Sequence, residues 1–371
     1  MARQERNPEV VIIGGGIIGC ALAWELAKAG VASRVIERRE IAREASWASA
    51  GIISPPGPRH GLRAELALES FRQYPSLIAE TEDVSGQSVG YVQSGELDLA
   101  ASSSIEALRE TLDWQLAHGM VVEWVDAQDI QEREPALHPE LTHGIFAAGA
   151  GSLVLSRMTS ALARAARLRG ASIVEHTPIT SIVVDRGRAT GVRAFDVTLP
   201  AGTVVIAAGA WSRTLGESID FSIPTVPVKG QMLSIANPPI PLRSVVAGGG
   251  GYLVPRADGT IAVGATEEHD AGFDTSVTLA GVARLTELVR RVAPSLLEGR
   301  LLDTWAGLRP GVEDGEPVIG RIPHLDNVWI ATGHFRSGAL LAPATARALA
   351  SSIISGSPDP LLAPFDPARF A

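Results

Sequence analysis

The chain of 371 residues is longer than one ordinary core supports, so two domains are expected. With 46% hydrophobic and 20% charged residues, 38 glycines and 24 prolines, the composition excludes a low-complexity or largely disordered protein. A net charge of −9 argues against a nucleic-acid partner, whose affinity rests largely on a basic surface, and a single cysteine, Cys20, excludes an internal disulfide framework or multi-cysteine metal site.

Residues 10–27 are apolar enough to imitate a signal segment, but they contain four glycines and Glu25. The same residues have a better reading. Val10, Val11, Ile12 and Ile13 are a β-branched run of the kind buried on both faces of a sheet. Gly14-Gly15-Gly16-Ile17-Ile18-Gly19 follows, residues 20–29 carry helical apolar spacing, and Gly30 stops the helix. Residues 33–36 read as a second strand with Glu37 at its carboxyl end. This is a βαβ unit of dinucleotide-binding length.

Further on, a helix and then a strand are expected between 162 and 182, broken at Gly170. Residues 203–208 and 327–331 read as buried strands of the same sheet, ending in Gly209 and in Thr332-Gly333. Blocks 95–100, 226–235 and 252–264 are β-rich and suggest a mainly antiparallel second sheet. No further apolar stretch is expected to span a bilayer, which points to a cytoplasmic protein without a membrane partner. The expected fold is α/β (α+β), with two interleaved domains. A Rossmann-like dinucleotide domain takes 1–85, 150–215 and 300–371, and a substrate domain takes 86–149 and 216–299.

The glycine motif has a physical reason at each position. Gly14 permits the tight turn, Gly16 lets the backbone approach a pyrophosphate, and Gly19 lets helix and sheet pack closely. The N–H groups at Ile17 and Ile18 face the phosphates. Glu37 follows Gly19 by 18 residues, where a carboxylate accepts the ribose hydroxyls and repels a 2′-phosphate. Residues 38–53, rich in small and hydroxyl side chains, favour FAD over NAD, since an NAD enzyme usually enters a helix there.

These residues, with SWASAGII at 46–53, PVKGQML at 227–233, YLVPR at 252–256, WAGLRPGVEDGEPVIGR at 305–321 and ATGHFRSGALLAPAT at 331–345, resemble the glycine oxidase and D-amino-acid oxidase family of flavoenzymes. The resemblance implies non-covalent FAD, a small amine or amino-acid substrate, dioxygen as acceptor, a homo-oligomer such as a tetramer, and a link to thiamine synthesis. It places FAD on Ile17, Ile18, Glu37, Arg38, Ala45, Ser46, Ala50, Gly51 and Ile52, with Ile179 at the adenine end. His334, Phe335, Arg336, Ser337, Gly338, Ala339 and Leu340 would run along the flavin ring. Arg309 matches the carboxylate-binding arginine and Tyr252 the active-site tyrosine, while Arg336 and Ile52 would lie near both flavin and substrate.

Arg309 also stands out by itself. An arginine among Trp305 and Leu308 is costly to bury unless it meets an anion, either a substrate carboxylate or a salt bridge from Glu313 or Asp314. Two departures from the family concern the substrate. Gly248 to Gly251 stand where glycine oxidases carry a histidine before the tyrosine, and Glu267 stands in place of a methionine. A looser loop is the expectation, with activity extending beyond glycine and sarcosine to some larger D-amino acids and cationic side chains tolerated better than acidic ones. The eight histidines show no metal-ligand spacing, so no metal is expected. A dehydrogenase handing electrons to a carrier, and a non-catalytic flavin-binding protein, remain alternatives.

Overall fold

The computed structural model describes residues 10–99 and 105–371. Residues 1–9 of the expected first segment, and Ala100 at the end of the expected 95–100 strand, lie outside the described residues. Val10–Ile13 runs through the middle of a six-stranded sheet, and its side chains explain the layers on either side. Val10 and Ile12 point into a helical core, whereas Val11 and Ile13 point into a second core shared with a small antiparallel sheet. The order is Val318–Arg321, Val328–Thr332, Thr203–Ile206, Val10–Ile13, Ser33–Ile36 and Ser172–Val174, parallel except for the first pair.

Helix Ile17–Lys28 packs against Leu155–Leu168 and Gly338–Ser355 on one face of that sheet. The glycine at its start is obligatory, because a Cβ on Gly19 would sit on the Gly14 carbonyl. On the other face lie Ile179–Asp185, Arg188–Ala194 and Val197–Pro200, a separate three-stranded sheet. The expected strand near 182 therefore divides. Ser172–Val174 joins the main sheet, the chain turns at His176 (φ 55°), and the next strand starts a new layer after Pro178, which has no N–H for a ladder.

Phe335–Ser355 corrects another expectation. It is 21 residues long with a mean hydropathy of 1.2, enough by length and composition to cross a membrane. Its apolarity has a different use: 61% of its most apolar stretch is buried, and Leu341 and Leu349 sit inside the helical core.

The second domain is an eight-stranded sheet ordered Arg300–Val312, Thr225–Ala236, Ile261–Gly264, Gly251–Pro255, Val245–Gly248, Glu96–Leu99, His143–Ala147 and Val122–Asp126. Only Val245–Gly248 with Glu96–Leu99 is parallel. One face carries Leu97, Leu233, Leu253 and Val263 against helix Leu279–Val292. The other carries Met232, Val254 and Ala262 towards the dinucleotide domain, with Tyr252 and Trp305 beside them. The 300 boundary is corrected here. Arg300–Val312 pairs along its length with Thr225–Ala236, so the chain re-enters the first domain only after Val312.

Glu96 is buried in this sheet, and burial pushes its carboxyl up to about 7, with Asp98 adding to the shift while Arg59 and Ser54 oppose it. The folded state thus holds a proton that the unfolded chain releases near 4.5. Its contribution is present below that value and is lost as pH rises through about 7. Glu96→Gln is expected to narrow the loss of stability between pH 5 and 8 by up to about 3 kcal/mol. Urea unfolding at the two pH values checks this, and an unchanged gap contradicts it.

Candidate active site

A cleft of about 540 Å³ opens where the carboxyl ends of the parallel strands meet the front of the eight-stranded sheet. Its first end is the glycine turn. Gly14 adopts φ 117°, and a Cβ there would strike the Ala207 carbonyl. Glu37 braces the turn: Oε2 accepts from the Gly15 N–H at 2.7 Å and Oε1 from the Arg39 N–H at 2.9 Å. A carboxylate has about four acceptor sites, so two bonds leave capacity for ribose hydroxyls.

The helix Ile17–Lys28 has Gly16 as N-cap, no side-chain cap and no acidic residue in its first turn. Ser46 Oγ accepts the Ile17 N–H at 2.9 Å, which corrects the expectation that this N–H faces the phosphates, and leaves the rest of the positive helix end to an anion. Arg38 stacks on the Trp211 ring at 3.6 Å and pairs with Glu44, closing the cleft beside Ile179. Sequence reasoning missed Trp211, because its role depends on the distant Arg38 that it meets.

Ala45, Ala48, Ala50, Gly51 and Ile52 line the middle of the cleft and leave room for an extended ligand. These features fit FAD: a phosphate cradle that a Cβ would fill, a free acceptor for ribose, and a small-residue channel leading to a polar end. Cys20 lies in the first helix against the Gly15 carbonyl, and burial pushes its thiol far up, so it offers no covalent attachment.

The polar end gathers Tyr252, Arg309, His334, Phe335, Arg336, Gly338 and Ala339. Four expected residues lie off the wall. Gly19 serves helix packing, Ser337 and Leu340 sit behind their neighbours, and Glu267 reaches the cleft only through Arg336. That is a correction for Glu267, whose carboxylate is held by Arg336 and, at 2.9 Å, by His269. Burial works to raise its pKa, yet the bonds from His269 and Arg336 win and lower it. Its charge is already matched inside the protein.

Arg309 pairs through its strand with Val228, and its guanidinium lies flat over Gly230. Nη1 donates to the Thr266 carbonyl at 3.1 Å. Among the described residues it has no carboxylate partner, since Asp314 pairs with Arg369 at 2.9 Å. The rest of the fork faces the cleft. Gly230 is a further residue that sequence reasoning passed over, legible only once the facing arginine is known. A Cβ at 230 would meet the guanidinium, so Gly230→Ala is expected to raise KM for a carboxylate substrate by about tenfold or more with FAD content unchanged. Steady-state kinetics beside flavin absorbance measures this, and an unchanged KM contradicts it.

Tyr252 is half-buried, with its hydroxyl 3.3 Å from Met232 Sδ. His334 is buried beside Thr345, and burial pushes its imidazole down to about 3, so it is neutral at ordinary pH. Helix Gly338–Ser355 starts at the cleft without a side-chain cap or an acidic first turn, presenting a second positive helix end.

The glycine turn at 248–251 is not loose, contrary to the sequence expectation. A Cβ on Gly249 would lie 2.8 Å from Val292, one on Gly248 would lie 3.0 Å from Leu99, and one on Gly251 would strike Leu288 and the Gly264 carbonyl. Arg291 also donates to the Gly249 carbonyl at 3.1 Å. Only Gly250, on the cleft wall, faces open space.

A parallel sheet ending in an anion cradle, set across one cleft from an arginine with no acid partner, defines a two-domain enzyme that brings a dinucleotide against a small anionic substrate. The profile described as FAD dependent oxidoreductase matches residues 9–352, and the chain belongs to that family. Its cofactor is FAD. The chain is 35% identical over 368 residues to glycine oxidase of Pseudomonas putida, covering 98% of both chains. It is 33% identical over 379 residues to the bifunctional protein ThiO/ThiG of Synechocystis, covering 99% of this chain and 55% of that one. The crystal structure of glycine oxidase from Geobacillus kaustophilus superposes with a TM-score of 0.89 at 30% identity, over 98% of this chain and 99% of the other.

Proposed function

We propose that the protein oxidatively deaminates glycine, sarcosine and small D-amino acids. The observation that carries this is Arg309, laid over Gly230 with one donor spent on Thr266 and no acid partner among the described residues. A planar guanidinium in that state binds a carboxylate through two parallel bonds and so fixes the substrate α-carbon. FAD, which the glycine turn, Glu37 and the channel at 45–52 would hold, would supply the two-electron acceptor for a hydride from that carbon, with dioxygen as the final acceptor giving hydrogen peroxide. The amino acid leaves as an imine, which water hydrolyses.

The protein's own part is orientation, a large share of the barrier in such reactions. Tyr252 closes the substrate end beside Met232, and Arg336 stands at the mouth with Glu267. No general base is required, because a neutral amine loses its α-hydrogen as hydride, and neutral His334 adds no charge. The bifunctional relative's name supports supply of the imine to thiamine synthesis. We further read the protein as a cytoplasmic homo-oligomer, a tetramer by family resemblance.

Gly250 leaves free volume beside Tyr252, which supports acceptance of side chains larger than hydrogen. Glu267 is already paired with Arg336 and His269, so it gives cationic side chains no advantage over acidic ones. Peroxide release is measured with glycine, sarcosine, D-alanine, D-arginine and D-glutamate. Turnover of glycine and D-alanine is expected, with D-arginine no better than D-glutamate. Flavin bleaching without peroxide makes the protein a dehydrogenase, and strict glycine preference contradicts the role of Gly250.

A further inference from the structure

The residues on either side of Gly230 face away from the cleft. Along Thr225–Ala236, Gly230 and Met232 line the cleft, whereas Leu233 and Ile235 belong to the core behind the sheet. Alternation therefore sends Lys229 and Gln231 to the back. Lys229 is 2% exposed, with Nζ 2.8 Å from Asp274 Oδ2 and 3.6 Å from Glu268 Oε2. Its backbone exchanges two bonds of 3.0 Å with Glu268.

Glu268 is the hub of this cluster. Its Oε1 accepts from Gln231 Nε2 at 2.7 Å and from Thr266 Oγ1 at 2.6 Å. The Gln231 N–H in turn donates to Thr266 Oγ1 at 2.9 Å. Thr266 then crosses to the front of the sheet, where its carbonyl accepts a hydrogen bond from Arg309 Nη1. A continuous path of bonds thus runs from the Lys229 backbone through Glu268 and Thr266 to the arginine of the cleft, while the ammonium bonds Asp274 and stands 3.6 Å from Glu268.

Stability alone does not account for such a cluster. Only the lysine end is buried: Glu268 is 22% and Asp274 52% exposed, so solvent screens the attraction while the ammonium still bears its desolvation, and apolar replacements of such a lysine are often no less stable. What the cluster does fix is the path of residues 265–268, and with it the position of the one carbonyl that holds Arg309. Building on the carboxylate-binding reading above, we propose that Lys229, Glu268 and Gln231 form a positioning cluster that aims Arg309 at the substrate carboxylate from behind the sheet. It touches neither substrate nor FAD. Its effect is on the binding of a carboxylate, not on the hydride step.

The test uses FAD-loaded Lys229→Met, Glu268→Gln, Arg309→Leu and the double variant Lys229→Met/Arg309→Leu. Acetate serves as the carboxylate probe, followed through the flavin absorbance, with kcat and KM for the best amino acid measured beside it. Lys229→Met is expected to weaken acetate binding and raise KM by about tenfold, with kcat within about twofold. Glu268→Gln, which keeps the shape, is expected to shift both in the same direction and carries the test if Lys229→Met does not fold. In the Arg309→Leu background the lysine change is expected to add nothing, as for two parts of one unit. Acetate affinity unchanged in Lys229→Met and Glu268→Gln but lost in Arg309→Leu overturns the positioning role alone. Additive losses in the double variant overturn it too. Acetate binding that survives Arg309→Leu overturns the reading of the cleft itself.

Discussion

Arg309→Leu is expected to leave the protein folded and yellow while kcat/KM for its amino-acid substrate falls a hundredfold or more. The guanidinium lies over Gly230 and is held by the Thr266 carbonyl, so its removal disturbs no ion pair among the described residues. It does strand the substrate carboxylate in a cleft with no other free cation of that placement among the described residues. Arg336 is the nearest substitute by position, but it is engaged with Glu267. Truncating one member of a buried, bonded charge pair costs about 2–5 kcal/mol. Flavin content and steady-state kinetics together decide the matter, and undiminished efficiency assigns Arg309 a structural role.

Glu37→Arg is expected to cost the protein most of its FAD. The carboxylate bonds both the Gly15 and the Arg39 N–H groups, so the substitution undoes the glycine turn as well as the ribose contact. It also sets an unpaired cation beside Arg38, which already stacks on Trp211. Hydrogen bonds to a charged group contribute about 1.5–3 kcal/mol each, so a loss of about 2–4 kcal/mol in FAD affinity is the expected scale. Titration of apoprotein with FAD, followed by fluorescence, measures it. Affinity equal to that of the unsubstituted protein contradicts the placement of Glu37.

The difference between these two sites explains what the sequence reveals and what it hides. The cofactor end is legible because the parts of its glycine turn are close in the chain and answer local demands, Gly14 through its φ of 117° and Gly19 through the Gly14 carbonyl it would strike. The substrate end is assembled across long separations. Glu267 lies 69 residues from Arg336, and nothing in either neighbourhood announces the pair. Gly230 reads as a spacer in PVKGQML until the facing strand brings Arg309 over it. Arg300–Val312 reads as part of the dinucleotide domain for the same reason. Gly307, Pro310 and Gly311 break its pattern, and only the pairing partner makes it one continuous strand. The glycines at 248–251 are visible as a turn, but their tight packing depends on Leu288 and Val292 of a later helix.

An amino acid held by Arg309 is expected to give its hydride to FAD in this cleft. Anaerobic mixing of the purified protein with glycine, sarcosine and small D-amino acids tests it most directly, with the flavin absorbance recorded after each addition. Bleaching by at least one of them, abolished in Arg309→Leu and reversed on admitting air with release of peroxide, is the predicted result. A flavin that dithionite reduces but none of these amino acids bleaches contradicts the account.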